Sequence, residues 1–273
     1  MRGSFGHALK KLVCVMRSRP CEGCPLEFTC IYTQIFEPRP APAGKIMSRY
    51  SRAPNPFLLV VDFPAGCEKI DHLSFGLRLF GSAHEASPFI LRAFEEAGEH
   101  GLSKSKIPFK LTEVTTETDS SWKPGRSFPS PAPCSSISNA NDVITWKFKT
   151  PTRIMAAGNL LTPHNINAAA LAMSMLRRYG LMHAFYSKET KNTDFQAFKQ
   201  SANRLKIVKA NVWWKSLKRY SNRQNTTQSI SGIMGEVSID TSNAPEWREI
   251  LPWAPILHLG KNTTMGLGRV TMS

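Results

Sequence analysis

A chain of 273 residues with 41% hydrophobic side chains is long enough to fill two compact cores, which excludes a chain disordered as a whole. Thirty-five Lys and Arg stand against 20 Asp and Glu, a net charge of +15, so the expected partner is a polyanion, nucleic acid first and a membrane surface second. No run of 18 apolar residues occurs and residues 1–16 (MRGSFGHALKKLVCVM) lack the features of a signal peptide, so the expectation is a soluble cytoplasmic protein with no membrane partner.

Phe5, Leu9, Leu12, Val13 and Met16 recur at helical spacing with Lys10, Lys11 and Arg17 off that face, which predicts a basic amphipathic helix over 2–16. Beyond a Pro- and Arg-rich stretch at 38–56, FLLVVDF at 57–63 and HLSFGLRLF at 72–80 read as strands. Ser87 and Pro88 predict the N-cap and first turn of a helix with Ile90, Leu91, Phe94 and Ala97 on one face, ending near Gly98 or Gly101. Residues 107–117 return as a strand. Residues 118–141, dominated by Ser, Pro, Asn and Gly, read as a linker between a domain at 1–117 and another at 142–273.

The second half opens with a strand at 143–150 that continues toward Met155. Thr162 and Pro163 predict the cap of a helix with Ile166, Ala169, Ala170, Met173, Leu176 and Leu181 on its apolar face, and a shorter helix follows at 195–205. Residues 206–216 alternate, with Val208, Ala210, Val212 and Trp214 on one side and Lys209, Asn211, Trp213 and Lys215 on the other, a strand with one basic, aromatic face. A strand at 230–240, a short helix at 244–251 and a strand at 255–259 complete the order β-α-β-β-α-β, the ferredoxin-like or RRM-like motif. The first half matches it except for a missing opening strand. The fold class is therefore α+β, two tandem ferredoxin-like domains, the first lacking its opening strand. Such a sheet has an unpaired edge, so either the chain starts too late or this domain is built differently.

In the segment 258–270 (HLGKNTTMGLGRV), Gly260, Gly266 and Gly268 surround Lys261, Asn262, Thr263 and Thr264, with Arg269 following. Glycines let a backbone approach a ligand and expose N–H groups, and Lys261 and Arg269 bring charge to phosphates; a structural turn is the plain alternative. The segment is not a Walker loop, which needs Gly-Lys followed by Ser or Thr at a helix start. Residues 204–223 contain seven Lys or Arg and no acid, interleaved with Trp213, Trp214 and Tyr220. Cations beside exposed aromatics, here Lys209, Trp213 and Lys215 and then Lys218, Arg219 and Arg223, suit single-stranded RNA; a core Trp214 among solvated cations is the other reading.

Cys14, Cys21, Cys24 and Cys30 follow the spacing C-x6-C-x2-C-x5-C. Four thiolates this close can make a structural tetrahedral zinc site, and reduced structural thiols account for them equally. Among the histidines, His7 near the start of the basic helix, beside Arg2 and Lys10, carries the most catalytic weight; His258 precedes the glycine segment and His164 begins a helix. No HExxH, GxSxG or carboxylate cluster for two metal ions occurs, so a nuclease here would work without metal.

RGSFGHALKKLVC with CEGCPLEFTCIYTQIFEP, then FKTPTRI, LRRYGLMHAFY, WWKSLKRYSNRQ, SGIMGEVSI and LHLGKNTTMGLGRV together resemble the CRISPR-associated Cas6 family, the RAMP endoribonucleases that process precursor crRNA. The resemblance touches both halves and is strongest over 143–272. It implies tandem ferredoxin-like domains and a glycine-rich loop before the last strand. It also implies cleavage of CRISPR repeat RNA without a catalytic cofactor, by attack of a ribose 2′-hydroxyl on the adjacent phosphate, leaving a 2′,3′-cyclic phosphate and a 5′-hydroxyl. Such chemistry needs a proton acceptor, a proton donor and a cation for the phosphorane. Under this resemblance His7 is the candidate for proton transfer, with Lys10, Lys11 or Tyr32 assisting and Arg2 stabilising charge. Repeat RNA or crRNA is the implied partner, with other CRISPR effector subunits beside it. A non-catalytic RAMP subunit that binds the crRNA handle, and a zinc-containing RNA-binding module, are the competing readings.

Overall fold

The computed structural model describes residues 1–40, 52–61, 71–102, 105–116, 141–188, 193–221 and 226–273. The expected linker at 118–141 lies outside them except for Asn141. The chain divides into two compact units, Met1–Phe57 with Arg78–Ser135 and Ala184–Lys188, and Leu58–Leu77 with Ser136–His183 and Glu189–Ser273.

In the first unit the predicted basic helix forms as α1 (Arg2–Val13), burying Phe5, Ala8 and Leu9. Phe5 stacks on Phe94, their centroids 4.4 Å apart, and meets Phe36 edge-on at 5.0 Å and Phe57 at 5.7 Å. These partners lie on a short helix α2 (Ile31–Phe36), at the start of strand β1 (Phe57–Val61), which pairs with β2 (Phe75–Leu79), and on helix α3 (Ser87–His100). Gly6 lets α1 pass close to α2, because a Cβ there would stand 2.6 Å from the Phe36 ring. Helix α3 buries Ile90, Ala93, Phe94 and Ala97, close to the predicted face. Ser87 is not its N-cap: a 3-10 turn at Gly81–Ala86 runs directly into the helix, and the Ser87 hydroxyl donates back to the His84 carbonyl.

Among the described residues the expected strand at 107–117 does not form. Ile107 makes one isolated bridge with Leu102, and the Phe109 N–H donates to the Gly98 carbonyl, 3.2 Å, at the end of α3. Pro108 has no N–H to give a ladder, so this segment closes the helix terminus instead of extending a sheet. Among the described residues the first half thus keeps the helix, strand, strand, helix order with no opening strand, but only the helices and the ends of the strands, Phe57 of β1 and Arg78 and Leu79 of β2, belong to the first unit; the rest of β1 and β2 belongs to the second.

The second unit realises the ferredoxin-like sheet. Strands β3 (Val143–Thr152), β6 (Lys206–Lys215), β9 (Gly232–Asp240) and β10 (Val270–Met272) lie in the order β10-β3-β9-β6, every neighbouring pair antiparallel. Ile144, Trp146 and Phe148 alternate onto the buried face of β3, and Ile233, Val237 and Ile239 onto that of β9. A small hairpin, β4 (Met155–Ala156) with β5 (Asn159–Leu160), turns at Ala157 and Gly158, both at positive φ, the geometry of a type I′ turn. A second hairpin, β7 (Lys218–Ser221) with β8 (Thr226–Ser229), follows β6.

Helix α4 (Ala168–Tyr186) begins later than predicted. Asn165 closes a turn by accepting from the Thr162 N–H, 2.6 Å, and Asn167 caps the helix by accepting from the Ala170 N–H, 2.8 Å. Its buried face is Ala168, Leu171, Ala172, Met175, Leu176, Tyr179 and Met182, which shares Leu176 alone with the predicted face. An Ala- and Met-rich helix is apolar most of the way round, so its periodicity does not fix its phase. Helix α5 (Phe195–Ser201) is capped by Asp194, which accepts from the Gln196 and Ala197 N–H groups.

Two predicted elements near the end are corrected. Residues 244–251 form a 3-10 turn at Pro245–Glu249, and the expected strand at 255–259 is occupied by a single-turn helix, α6 (Ala254–Leu257). Pro245, Pro252 and Pro255 each sit in a first turn, where a missing N–H costs little, and they keep every helix here short. The fourth strand of the sheet is β10, beyond the glycine segment.

Phe5 is the meeting point of three rings in the first unit. Phe5→Ala is expected to lower its stability by about 3–5 kcal/mol, read as a lower midpoint in urea unfolding. Leu12→Ala, at a position 39% exposed on the same helix, is expected to cost less than about 1 kcal/mol in the same measurement.

Candidate nucleic-acid interface

The register of the second unit's sheet decides which side chains share a face. Lys209 pairs with Ser238, Asn211 with Glu236, Trp213 with Met234 and Lys215 with Gly232, while on the other side of β9 Thr145 pairs with Ser238 and Lys147 with Glu236. The predicted parity of β6 therefore holds: Lys209, Asn211, Trp213 and Lys215 stand together, on the face opposite the buried Ile233, Val237 and Ile239. Val208 forms a bulge and is 56% exposed, so β6 as the outer strand buries little on either side. Lys209 Nζ lies 3.4 Å from Glu236 Oε1, a surface pair worth at most about 1 kcal/mol. Lys209 can exchange that carboxylate for a phosphate at small cost. Lys218 continues the basic path into β7; the side chains of Arg219 and Arg223 lie outside the described residues.

The glycine segment is wired inward. Lys261 N–H donates to the Arg153 carbonyl at 2.9 Å, Gly268 N–H to Pro151 at 3.1 Å and Leu259 N–H to Gly268 at 2.8 Å. Arg269 N–H donates to the Thr150 hydroxyl, whose own proton goes to the Gly266 carbonyl, both at 2.9 Å. Met265 and Gly266 donate within the loop, to Asn262 and Thr263. The glycines serve close approach: a Cβ at Gly260 would stand 2.2 Å from the Arg153 oxygen and one at Gly268 1.8 Å from the Leu259 oxygen. Thr263, Gly266 and Gly268 are buried, whereas Lys261 is exposed and Asn262, Thr264 and Arg269 are half-exposed. The loop thus offers side chains on a stiff frame, not the cradle of outward N–H groups that the sequence suggested for these positions.

On α1 of the first unit, His7 is exposed, one turn before Lys10 and Lys11. The Arg2 guanidinium lies 5.2 Å from the centroid of Phe36, and Lys10 Nζ lies 5.2 Å from that of Tyr32. Tyr32 and Phe36 stack on each other at 5.5 Å, so Arg2, Lys10 and Tyr32 are gathered along one aromatic pair. Lys11 takes a different partner, which the sequence did not disclose: its Nζ is 3.3 Å from Nε2 of His100, at the end of α3. His100 Nδ1 lies 2.8 Å from the Glu96 carbonyl oxygen, which can only accept; Nδ1 therefore holds the proton and Nε2 receives from the lysine.

The four cysteines are free and half-buried, in turns pinned by Arg39, which reaches Glu22 at 3.5 Å and Glu27 at 3.7 Å. Among the described residues no three Cys, His, Asp or Glu side chains are gathered to hold a metal ion. Burial pushes the Cys21 thiol pKa up, and the Glu37 carboxylate adds to this while Lys10 opposes it, so the protonated thiol is favoured. His164, His258 and the glycine loop all belong to the second unit; His258 is buried, at positive φ, at the entry to the loop.

Residues 146–270, which span this sheet and loop, match the family model described as CRISPR-associated endoribonuclease Cas6, and residues 1–130 match a model described as an N-terminal domain. The Cas6 match covers 125 of the 273 residues, somewhat under half of the chain. No curated protein matches the sequence. Among solved structures, a Thermus thermophilus Cas6 product complex is 17% identical with a TM-score of 0.59, covering 100% of this chain and 92% of its own. At that identity the likeness is one of fold. Another Cas6 product complex is 14% identical with a TM-score of 0.49, covering 81% of this chain and 83% of that one. A Cas6-related protein from Pyrococcus furiosus is 13% identical with a TM-score of 0.42, covering 100% and 88%. Among the described residues no helix is long and apolar enough to cross a membrane.

Gly268→Ala places a methyl group against the Leu259 carbonyl at a positive φ. It is expected to unseat the loop, seen as lost protection of the Leu259 and Lys261 amides in hydrogen exchange. Lys261→Ala, which removes an exposed side chain and no backbone bond, is expected to leave both amides protected.

Proposed function

We propose that this chain is a Cas6-type endoribonuclease that cuts CRISPR repeat RNA to crRNA without a catalytic metal, using side chains of α1. The observation that carries the reading is the exposed His7 one turn from Lys10 and Lys11, on a helix whose Arg2 and Lys10 also line the Tyr32–Phe36 pair. In the proposed step the ribose 2′-oxygen attacks the adjacent phosphorus, its proton passes to a base, the bond from phosphorus to the 5′-oxygen breaks, and an acid protonates that leaving oxygen. Atoms and charge balance with no added reagent, and the products are a 2′,3′-cyclic phosphate and a 5′-hydroxyl. An imidazole serves either proton role. His7 takes one of them; Arg2 and Lys10 supply cations for the crowded phosphorane, with Lys11 and Tyr32 assisting.

The second unit holds the RNA in this reading. Lys209, Lys215 and Lys218 neutralise phosphates, Trp213 stacks on a base, and the glycine loop presents Lys261, Asn262, Thr264 and Arg269. A cytoplasmic site of action and other CRISPR effector subunits as recipients of the crRNA belong to the same proposal.

The test is a labelled repeat RNA mixed with purified protein in excess EDTA. One cut ending in a cyclic phosphate is the expected result; tight binding without a cut means a handle-binding subunit instead. His7→Ala is expected to slow the cut by 100-fold or more, on the order of a lost general acid or base, with unchanged affinity; retained cutting sinks the assignment. Lys261→Ala is expected to weaken binding and reduce the slope of log K against log salt by about one phosphate contact, measured as affinity over a salt series.

A further inference from the structure

At the outer edge of the second unit's sheet an open depression of about 460 Å³ is lined by Thr162, Pro163 and His164 and by the successive β6 residues Trp213 and Trp214. We propose that this depression receives one unpaired base of the RNA, stacked on Trp213 and bordered by His164. The proposal rests on the reading of this face as the RNA-holding surface and adds to it a defined subsite with its own residues.

Three observations carry it. Trp213 is 51% exposed, an indole presented to solvent on a strand whose neighbouring residues on the same face are Lys209, Asn211 and Lys215. A ring flanked by cations matches a nucleotide, whose base stacks while its phosphates take the charges, better than it matches an apolar protein surface. The indole is also placed in advance. Gly235, at φ 110°, has no side chain to displace it, and a Cβ there would stand 2.9 Å from Trp213 Cζ3. The turn that completes the lining is stiff as well: Asn165 accepts from the Thr162 N–H at 2.6 Å and hydroxyl at 3.1 Å, and donates to the Leu160 carbonyl at 3.2 Å. Pro163 fixes the backbone between them, so exposed His164 is held at the rim with polar nitrogens available to a base edge.

The lining holds no carboxylate, so nothing there repels the phosphates on either side of the base. A base inside a duplex has no free face to give to such a depression, so the subsite selects an unpaired nucleotide.

The experiment places 2-aminopurine singly at each unpaired position of the repeat RNA and follows its emission on binding to the full chain. With wild-type protein, one position is expected to be strongly quenched by stacking. Trp213→Ala is expected to abolish that quenching and raise Kd roughly 5- to 100-fold, while Trp213→Phe restores most of both. His164→Ala, on an exposed turn, is expected to raise Kd for the RNA with a base at the quenched position and not for an RNA with an abasic nucleotide there. Tight wild-type binding with no quenched position, or with equal Kd for Trp213→Ala, overturns the subsite and leaves the RNA reading intact. Absence of wild-type binding to any repeat RNA overturns both.

Discussion

The second unit closes along four residues at the end of β3, Thr150–Arg153, and the constraint there is steric before it is chemical. Gly232 of β9 brings its Cα so close that a Cβ would stand 2.6 Å from the Thr152 nitrogen, Gly260 crowds the Arg153 carbonyl, and Gly268 donates to Pro151. Three glycines from different parts of the chain thus converge on one stretch of backbone, where β3 and β9 also shift register between Phe148 and Thr152. A β-carbon at Gly232 or Gly260 would push that backbone away, and with it the loop that ends at β10. The position of Lys261 and the pairing of the last strand depend on the same few contacts. Thr150, buried, completes them by accepting from Arg269 and donating to Gly266.

Charge is distributed in a way that complements this rigidity. The cations of β6 sit on long flexible stems over an ordered sheet, and the one carboxylate on the register line with Asn211, Glu236, forms a weak surface pair with Lys209. On α1 the cations are held differently, laid against aromatic faces or, at Lys11, hydrogen-bonded to a histidine of fixed tautomer. The first arrangement suits a mobile polyanion that many contacts must follow. The second suits a small number of groups held in place.

Much of this was legible from residue order. Strong two-residue alternation in 206–216 gave the face of β6 correctly, and Pro88 with Ile90, Phe94 and Ala97 gave α3, because burial of one face dominates those segments. The phase of α4 was not legible, since alanine and methionine make nearly every side of it acceptable to a core. The strand expected at 107–117 gives way to isolated bridging and to closure of the α3 terminus, where Pro108 cannot donate to a ladder. The glycine segment was found as a motif with two readings open, a ligand-facing loop and a structural turn: glycine spacing marks close approach without saying whether the N–H groups point to a ligand or to the protein's own carbonyls. The Lys11–His100 contact joins residues 89 apart in sequence and depends on how α1 packs on α3.

Among the described residues strand β6 has one neighbour in its sheet, β9, which leaves its other edge without a paired strand along ten residues. Another copy of the chain could add itself there as a further strand. The lysines at 206, 209 and 215 and the bulge at Val208 oppose this, by repulsion between copies and by breaking the regular ladder. The cations that the RNA reading uses therefore also oppose such pairing between copies. Variants that strip them remove a barrier to edge-to-edge association at the same time.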